Sequence, residues 1–127
     1  GVTDGFVVGR NKERAENLAQ AYGYSRANEY DEFDVIINAT PIGMAGGADE
    51  HQLPMAPLSI KGAQLIVDCV AVPSVTPLIR TAVGYDIPTV RGTDIMTLQA
   101  VEQFVLYTGV RPSDELIALA AAFSRQE

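Results

Sequence analysis

The first stretch whose residue types suit chemistry is Gly9-Arg10-Asn11, with Arg14 one helical turn further on, directly after the apolar run Phe6-Val7-Val8. In open α/β sheets such a strand end meets an adenosine ribose. A carboxylate there binds the 2′-hydroxyl of NAD, whereas an arginine accommodates the 2′-phosphate of NADP. No carboxylate directly follows this run, and Arg10, Asn11 and Arg14 offer donors to a phosphate. The stretch favours NADP over its alternative, an ordinary solvated basic helix start.

The second stretch is the loop Asn38-Ala39-Thr40-Pro41, with Gly43, which follows Val35-Ile36-Ile37. The short β-branched run predicts a strand that is buried on both faces of a parallel sheet. Open α/β sheets bind ligands at the carboxyl ends of their strands, so the polar loop is a candidate nucleotide site. The residues by themselves leave an ordinary strand-to-helix turn equally open.

Four further polar residues are weaker candidates. Asp68 and Cys69 end a predicted strand and face the same crevice; a loop-capping role for Asp68 is favoured over that of a general base. Cys69 has no evident partner base and is predicted to be packed. Gln99, inside a predicted helix, is either exposed or in contact with a polyol. His51 stands alone in a polar loop, so it is expected to be solvated and no metal site is expected.

The elements that must position these residues alternate between strand and helix. Asn11 is the predicted N-cap of the first helix and Gly23 its stop, while Pro77 is the predicted first residue of a later helix. The resulting pattern predicts an α/β, Rossmann-like, doubly wound parallel sheet. The predicted helices cover residues 12–22, 74–84, from Thr93 or Asp94 to 107, and 112 to about 124; the predicted strands cover 6–8, 24–27, 35–37, 63–70 and 87–90, with 45–57 as loop.

The glycine-rich turn of a dinucleotide fold is missing from this pattern. No G-x-G-x-x-G precedes Phe6, so we expect a sheet that lacks its first strand, Gly-rich turn and helix, with Gly1 near the end of that helix. Residues 1–127 are then a single NAD(P)-binding domain, a fragment of a longer two-domain enzyme. Two unpaired strand edges would face a gap, which makes a homodimer a further expectation.

Composition and charge narrow the class of partner. The 127 residues suffice for one domain with a core, and the net charge of −7 argues against nucleic acid. No apolar run is long enough to span a membrane, so no membrane partner is expected. Cys69 is the single cysteine, which excludes an internal disulfide and favours a cytoplasmic protein.

Four stretches together resemble the shikimate dehydrogenase family. Asn38–Met44 resembles the family's N-A-T-x-x-G-M loop, and Gly9–Asn11 with Arg14 is similar to its N-R-T-x-x-R clasp for NADP. Thr76-Pro77-Leu78 resembles the T-P-L/F opening of a helix, and Gly92–Ala100 is similar to G-x-G-M-L-V-x-Q-A. The matches run in order through nearly the whole chain. They cover the carboxyl-terminal, nucleotide-binding half of the enzyme.

The resemblance implies a hydride transfer between NADP and a hydroxyl-bearing ring carbon of a shikimate- or quinate-like acid. The family's catalytic lysine and aspartate belong to the amino-terminal half. No catalytic residue is therefore assigned here, and the isolated chain is expected to be inactive. The implied contacts are Arg10, Asn11 and Arg14 with the adenosine phosphate, Asn38, Ala39 and Thr40 with the middle of the cofactor, Cys69, Val70, Gly92 and Met96 near the nicotinamide, and Gln99 with the substrate.

Two positions depart from the family pattern. Ala71 stands where the family has a tyrosine that contacts substrate, and Asp94 replaces a glycine. Val70–Pro73 and Gln99–Phe104 resemble the shikimate dehydrogenase-like branch more than the biosynthetic enzyme. The alternative function is a non-catalytic nucleotide-binding or interaction module derived from such an enzyme. A weaker third is an NADP reductase acting on aldehydes or folate derivatives.

Overall fold

A computed structural model describes residues 3–124, in which parallel strands alternate with helices. The predicted position of Gly1 lies outside the described residues. The elements in chain order are β1 Phe6–Val7, α1 Lys12–Tyr22, β2 Ser25–Arg26, β3 Val35–Asn38, α2 Pro57–Gly62, β4 Leu65–Asp68, α3 Pro77–Gly84, β5 Thr89–Val90, α4 Gly92–Thr108 and α5 Asp114–Ser124.

The strands form two separate parallel sheets. β1 pairs with β2, and the second sheet has the order β3-β4-β5, with Asn38 of β3 opposite Asp68 of β4. This arrangement confirms the α/β, Rossmann-like prediction. It also confirms the predicted gap, because β1 and β3 are not paired with each other and an open cleft lies between them.

The helix ends that local chemistry specifies are where the sequence predicts them. The side-chain oxygen of Asn11 accepts from the backbone N–H of Arg14 at 3.0 Å, and Gly23 ends α1 with φ of 69°. A positive φ costs glycine little, which is why it is the usual stop. Thr76 caps α3 by accepting from the N–H of Ile79 at 3.2 Å, and Pro77 is the first helical residue.

Two helix predictions are wrong in detail. α4 begins at Gly92, with Asp94 in its first turn, rather than at a Thr93 or Asp94 cap. The Asp94 carboxylate accepts from the backbone N–H of Arg91 at 3.2 Å, so it stabilises the helix start from inside the helix. The sequence pattern does not predict the six residues of α2, because a helix so short shows no hydrophobic period and Pro57 is predicted to end a loop.

The core lies between α3 and one face of the β3-β4-β5 sheet. Ile36, Ile66, Leu78 and Ala82 are buried together there, with Val8 packed against the cluster from the β1 side. The prediction that β3 is buried on both faces is wrong. Side chains alternate across a strand, and Ile37 projects from the opposite face, where it is 62% exposed.

The carboxyl-terminal helices leave much apolar surface open. The predicted stripe of α5 was expected to pack on a neighbour, and α5 contacts α4. However, Leu116, Leu119 and Phe123 remain exposed. Within residues 3–124, no helix has the length and apolar character needed to cross a bilayer.

Candidate functional site

Asn38 uses all of its side-chain hydrogen-bonding capacity inside the protein. It is 2% exposed at the end of β3, and its amide nitrogen donates to the carbonyl of Ile42 at 3.1 Å and to Asp68 Oδ1 at 3.0 Å. Its oxygen accepts from the backbone N–H of Thr40 at 3.1 Å and from the Thr40 hydroxyl at 2.7 Å. Asn38 thus shapes the loop, whereas Ala39, Thr40 and Pro41 are exposed.

Asp68 connects that loop to the next strand end and to α3. Its Oδ1 also accepts from the N–H of Val70 at 3.1 Å, and its Oδ2 accepts from the Thr76 hydroxyl at 2.5 Å. Asp68 and Thr76 have no exposed surface. Asn38, Asp68 and Thr76 are called the buried polar network below. The loop-organising role predicted for Asp68 is confirmed, but its expected position facing the crevice is wrong because the carboxylate is fully buried.

Val70 and Gly92 meet backbone to backbone. A Cβ built on Gly92 would overlap the carbonyl oxygen and carbon of Val70, so the start of α4 approaches the end of β4 more closely than any side chain allows. The hydroxyl of Thr93, next to Gly92, is buried and has no hydrogen-bond partner within residues 3–124. The structure therefore brings two of the predicted residues together and leaves one polar group beside them unsatisfied.

The remaining residues expected at this end of the sheet are exposed. Met96 and Gln99 lie three residues apart on α4, which places them on one side of the helix. The thiol residue Cys69 follows β4 and is exposed, so the prediction that it is packed is wrong. Its place directly after a β4 residue that points inward explains the outward direction.

The second group of candidate residues lies after β1. Asn11 caps α1, Arg14 is in the first turn, and both are exposed. Arg10 is 77% exposed, and its Nη1 lies 3.0 Å from the carboxylate of Asp49, which is 17% exposed. Arg10, Asn11, Arg14 and Asp49 are called the Arg10 clasp below. Sequence reasoning missed Asp49, because it lies in a loop without periodicity, 39 positions from Arg10 in the chain.

An open cleft of about 1140 Å³ lies between the two sheets. Its lining joins residues after β1 with residues after β3, namely Gly9, Arg10, Lys12, Asn38 and Thr40. Cys69, Val70, Gly92, Met96 and Gln99 are not part of that lining. Of the first two groups of predicted residues, Arg10, Asn38 and Thr40 border this cleft, whereas Asn11, Arg14 and Ala39 are not part of its lining. The third group stands at the neighbouring strand and helix ends.

A metal site receives no support from the geometry. Residues 3–124 contain no cluster of three or more His, Cys, Asp or Glu side chains able to hold an ion. His51 is exposed, in agreement with the solvated state predicted for it.

Comparison with known proteins adds relatives that share this fold. No protein-family model matches the chain. The shikimate dehydrogenase-like protein of Haemophilus influenzae is 46% identical over 121 residues, which are 94% of this chain and 45% of that protein. The chain spans about half the length of the curated relatives it matches.

Solved structures lead to the same group of proteins. A shikimate 5-dehydrogenase-like protein superposes with a TM-score of 0.88 at 45% identity, over 95% of this chain and 46% of that one. The shikimate 5-dehydrogenase of Thermus thermophilus, solved in complex with NADP(H) and shikimate, superposes with a TM-score of 0.77 at 25% identity. That match covers 92% of this chain and 44% of that one.

Proposed function

Because the chain belongs to the shikimate dehydrogenase family over the length that it spans, we propose that it binds NADP for an oxidoreductase of that family. The substrate is a shikimate- or quinate-like polyol acid, and the bound nicotinamide supplies the hydride chemistry. We propose that substrate oxidation also requires the other half that the curated relatives contain, because this chain spans only about half of their length.

The observation that carries the proposal is the exposed guanidinium of Arg10 at the carboxyl end of β1, on the border of the cleft. This strand end meets the adenosine ribose in folds of this class. Arg10 has donors beyond the one facing Asp49, and a guanidinium binds phosphate oxygens with two parallel hydrogen bonds. Asn11 and Arg14 stand at the adjoining helix start, where the helix dipole also favours an anion.

The other predicted residues act by position. The Asn38 side chain is fully used within the protein, so we assign it the task of holding Ala39 and Thr40 against the middle of the cofactor. Val70 and Gly92 form a close backbone contact with no side chain between them. We assign the nicotinamide ring to a position near this contact. The unsatisfied hydroxyl of Thr93 offers a polar group to a carboxamide there.

Two exposed side chains of α4 complete the assignment. We assign Met96, together with Cys69, to the nicotinamide end, and Gln99 to a substrate hydroxyl or carboxylate. We propose no catalytic residue within this chain, since Asp68, an acid at the end of a central strand, is buried and hydrogen-bonded through both oxygens.

The test is a titration of the chain with NADPH, followed by nucleotide fluorescence, with NADH as the comparison. Protein emission interferes little because the chain has no tryptophan. Arg10→Ala should weaken NADPH binding at least tenfold, while Arg80→Ala, which removes an exposed cation from α3, should change it less than twofold. Equal NADPH affinity in wild type and Arg10→Ala would refute the assigned phosphate contact.

Activity is tested separately. The isolated 127 residues should form no NADPH from NADP and either shikimate or quinate, since proton transfer falls to a lysine–aspartate pair that the family carries in its other half. Turnover by this chain alone would contradict that division of labour. Adding the remaining half of a family member should restore turnover if the chain serves an enzyme.

The second candidate is a non-catalytic nucleotide-binding or interaction module. Ala71, half-buried where the family's substrate-contacting tyrosine is expected, favours it. This candidate predicts NADPH binding without turnover even when the other half is present. We also propose that the chain forms a homodimer through its unpaired β1 and β3 edges, which light scattering during size-exclusion chromatography would detect.

A further inference from the structure

Asp49 contacts the guanidinium of Arg10, although it belongs to neither stretch of the predicted site. Its carboxylate oxygen Oδ2 lies 3.0 Å from Nη1 of Arg10. The two partners differ in freedom: the Arg10 side chain is 77% exposed, while the Asp49 side chain is 17% exposed. The acid is therefore the fixed member of the pair and the guanidinium the movable one.

The backbone explains why Asp49 is fixed. Its carbonyl accepts from the N–H of Gly43 at 3.0 Å and from the N–H of Gln52 at 3.1 Å. Gly43 is itself buried with φ of +89°, and a Cβ there would contact Thr76, a member of the buried polar network. Asp49 is thus tied to the loop after β3, and its carboxylate contacts Arg10, which follows β1 of the other sheet.

Stability does not account for this ion pair. An ion pair with one highly exposed partner contributes little to folding, because water competes for both charges. Its position matters more for a ligand. A phosphate held by Arg10 lies within about one Debye length of the Asp49 carboxylate, which is about 8 Å at physiological ionic strength, so the two anions repel each other. A ribose 2′-hydroxyl carries no charge and is able to donate to the same carboxylate.

We propose that Asp49 is a specificity-determining residue that lowers the preference of this site for a 2′-phosphate over a 2′-hydroxyl. The site then accepts NAD as well as NADP, and the acid that contacts the ribose comes from the loop after β3 instead of the end of β1. This inference rests on the proposed function, since it assumes that Arg10 receives the adenosine ribose.

The experiment uses two probes that differ at the 2′ position, adenosine 2′,5′-bisphosphate and adenosine 5′-monophosphate, titrated by calorimetry into the 127-residue chain. Asp49→Asn removes the charge and keeps the side-chain shape. It should raise the affinity for the bisphosphate threefold to tenfold and change that for the monophosphate less than twofold. Glu115→Gln is the matched control, because it removes one exposed carboxylate from the first turn of a different helix, α5.

An unchanged ratio of the two affinities in Asp49→Asn would overturn the inference, as would the same change of ratio in Glu115→Gln. The failure of the proposed function has a different signature, namely equal NADPH affinity in wild type and Arg10→Ala. A chain that binds neither adenosine probe contradicts the Asp49 inference directly, because the ribose would then have no site at the Arg10 clasp.

Discussion

Asn38 of the buried polar network and Arg10 of the Arg10 clasp both line one cleft, and the two groups differ in almost every physical respect. Asn38, Asp68 and Thr76 are buried, and each donates to or accepts from another member. The clasp combines three exposed residues, Arg10, Asn11 and Arg14, with the partly buried Asp49, whose carboxylate makes one contact with Arg10. The first arrangement is complete without a ligand, whereas the second has donors to spare.

This difference shows that polar residues at one edge of the sheet have two kinds of role: some hold the loops in place, and others remain accessible. A buried polar group without a partner costs folding free energy, so every such group in the network is satisfied within the protein and the loops become rigid. An exposed guanidinium loses little when it changes partners. Positioning of the loops therefore belongs to the network, whereas the exposed donors of the clasp remain open to a ligand.

The largest expected effect is that of Asp68→Asn. The amide would place an NH2 group where a carboxylate oxygen now accepts, so at least one of the three buried donors around it would lose its acceptor. We expect a loss of about 3 kcal/mol in the free energy of unfolding, measured by urea denaturation. Asp4→Asn, at an exposed acid, should change it by less than about 0.5 kcal/mol. An unchanged free energy of unfolding in Asp68→Asn would contradict the proposed difference between the two regions.

Gly92→Ala tests the close contact beside the network. The added methyl group overlaps the backbone of Val70, and backbone atoms cannot rotate away as a side chain does. A loss of about 2 kcal/mol in unfolding free energy is expected. Gly84→Ala in α3 is the matched change, because its Cβ meets nothing within 4 Å and alanine favours the helix. Equal stability of the two variants would contradict the close approach.

Asn11→Ala examines the one member of the clasp that has a structural task. It removes the acceptor for the N–H of Arg14, so about 1 kcal/mol of unfolding free energy should be lost. Asn17→Ala, in the exposed middle of α1, should leave stability unchanged or slightly higher. Thermal unfolding followed by circular dichroism provides the comparison, and a cost at Asn17 that matches Asn11 would argue against the cap.

The smallest effect on stability is expected for Arg10→Ala. Its ion pair with Asp49 is largely solvated, so the free energy of unfolding should change by less than about 0.5 kcal/mol. The same variant should nevertheless lose NADPH affinity, which would sharpen the contrast with Asp68→Asn. A loss of stability as large as that of Asp68→Asn would show that Arg10 holds the two sheets together.

Local chemistry made part of the fold predictable. Asn11, Gly23, Thr76 and Pro77 act on backbone groups within three or four residues, so helix ends at these positions follow from residue type. The helix α2 could not be predicted in this way, because six residues show no period. The exposed face of β3 was also missed, since burial depends on which elements cover the sheet.

The sequence names the polar residues of the candidate site, but it does not reveal which of them contact one another. Loops after apolar runs pointed to Arg10 and Asn38, because parallel strands end at one edge of a sheet. The exposure of Cys69 could not be predicted, because it depends on the direction in which the side chain points at the end of β4. The ion pair of Arg10 with Asp49 joins two loops that no periodicity relates, so only folded coordinates reveal it.

By itself, the sequence determined the alternation of strands and helices, the capped helix ends and the identity of the polar loops, because each depends on neighbours in the chain. The tertiary structure decided which polar side chains form hydrogen bonds within the protein and which remain accessible to solvent. Asn38 and Asp68 satisfy each other across 30 positions of sequence at 3.0 Å, while Arg10 faces solvent. Hydrogen-bond satisfaction is a property of the spatial environment, and chain order does not encode it locally.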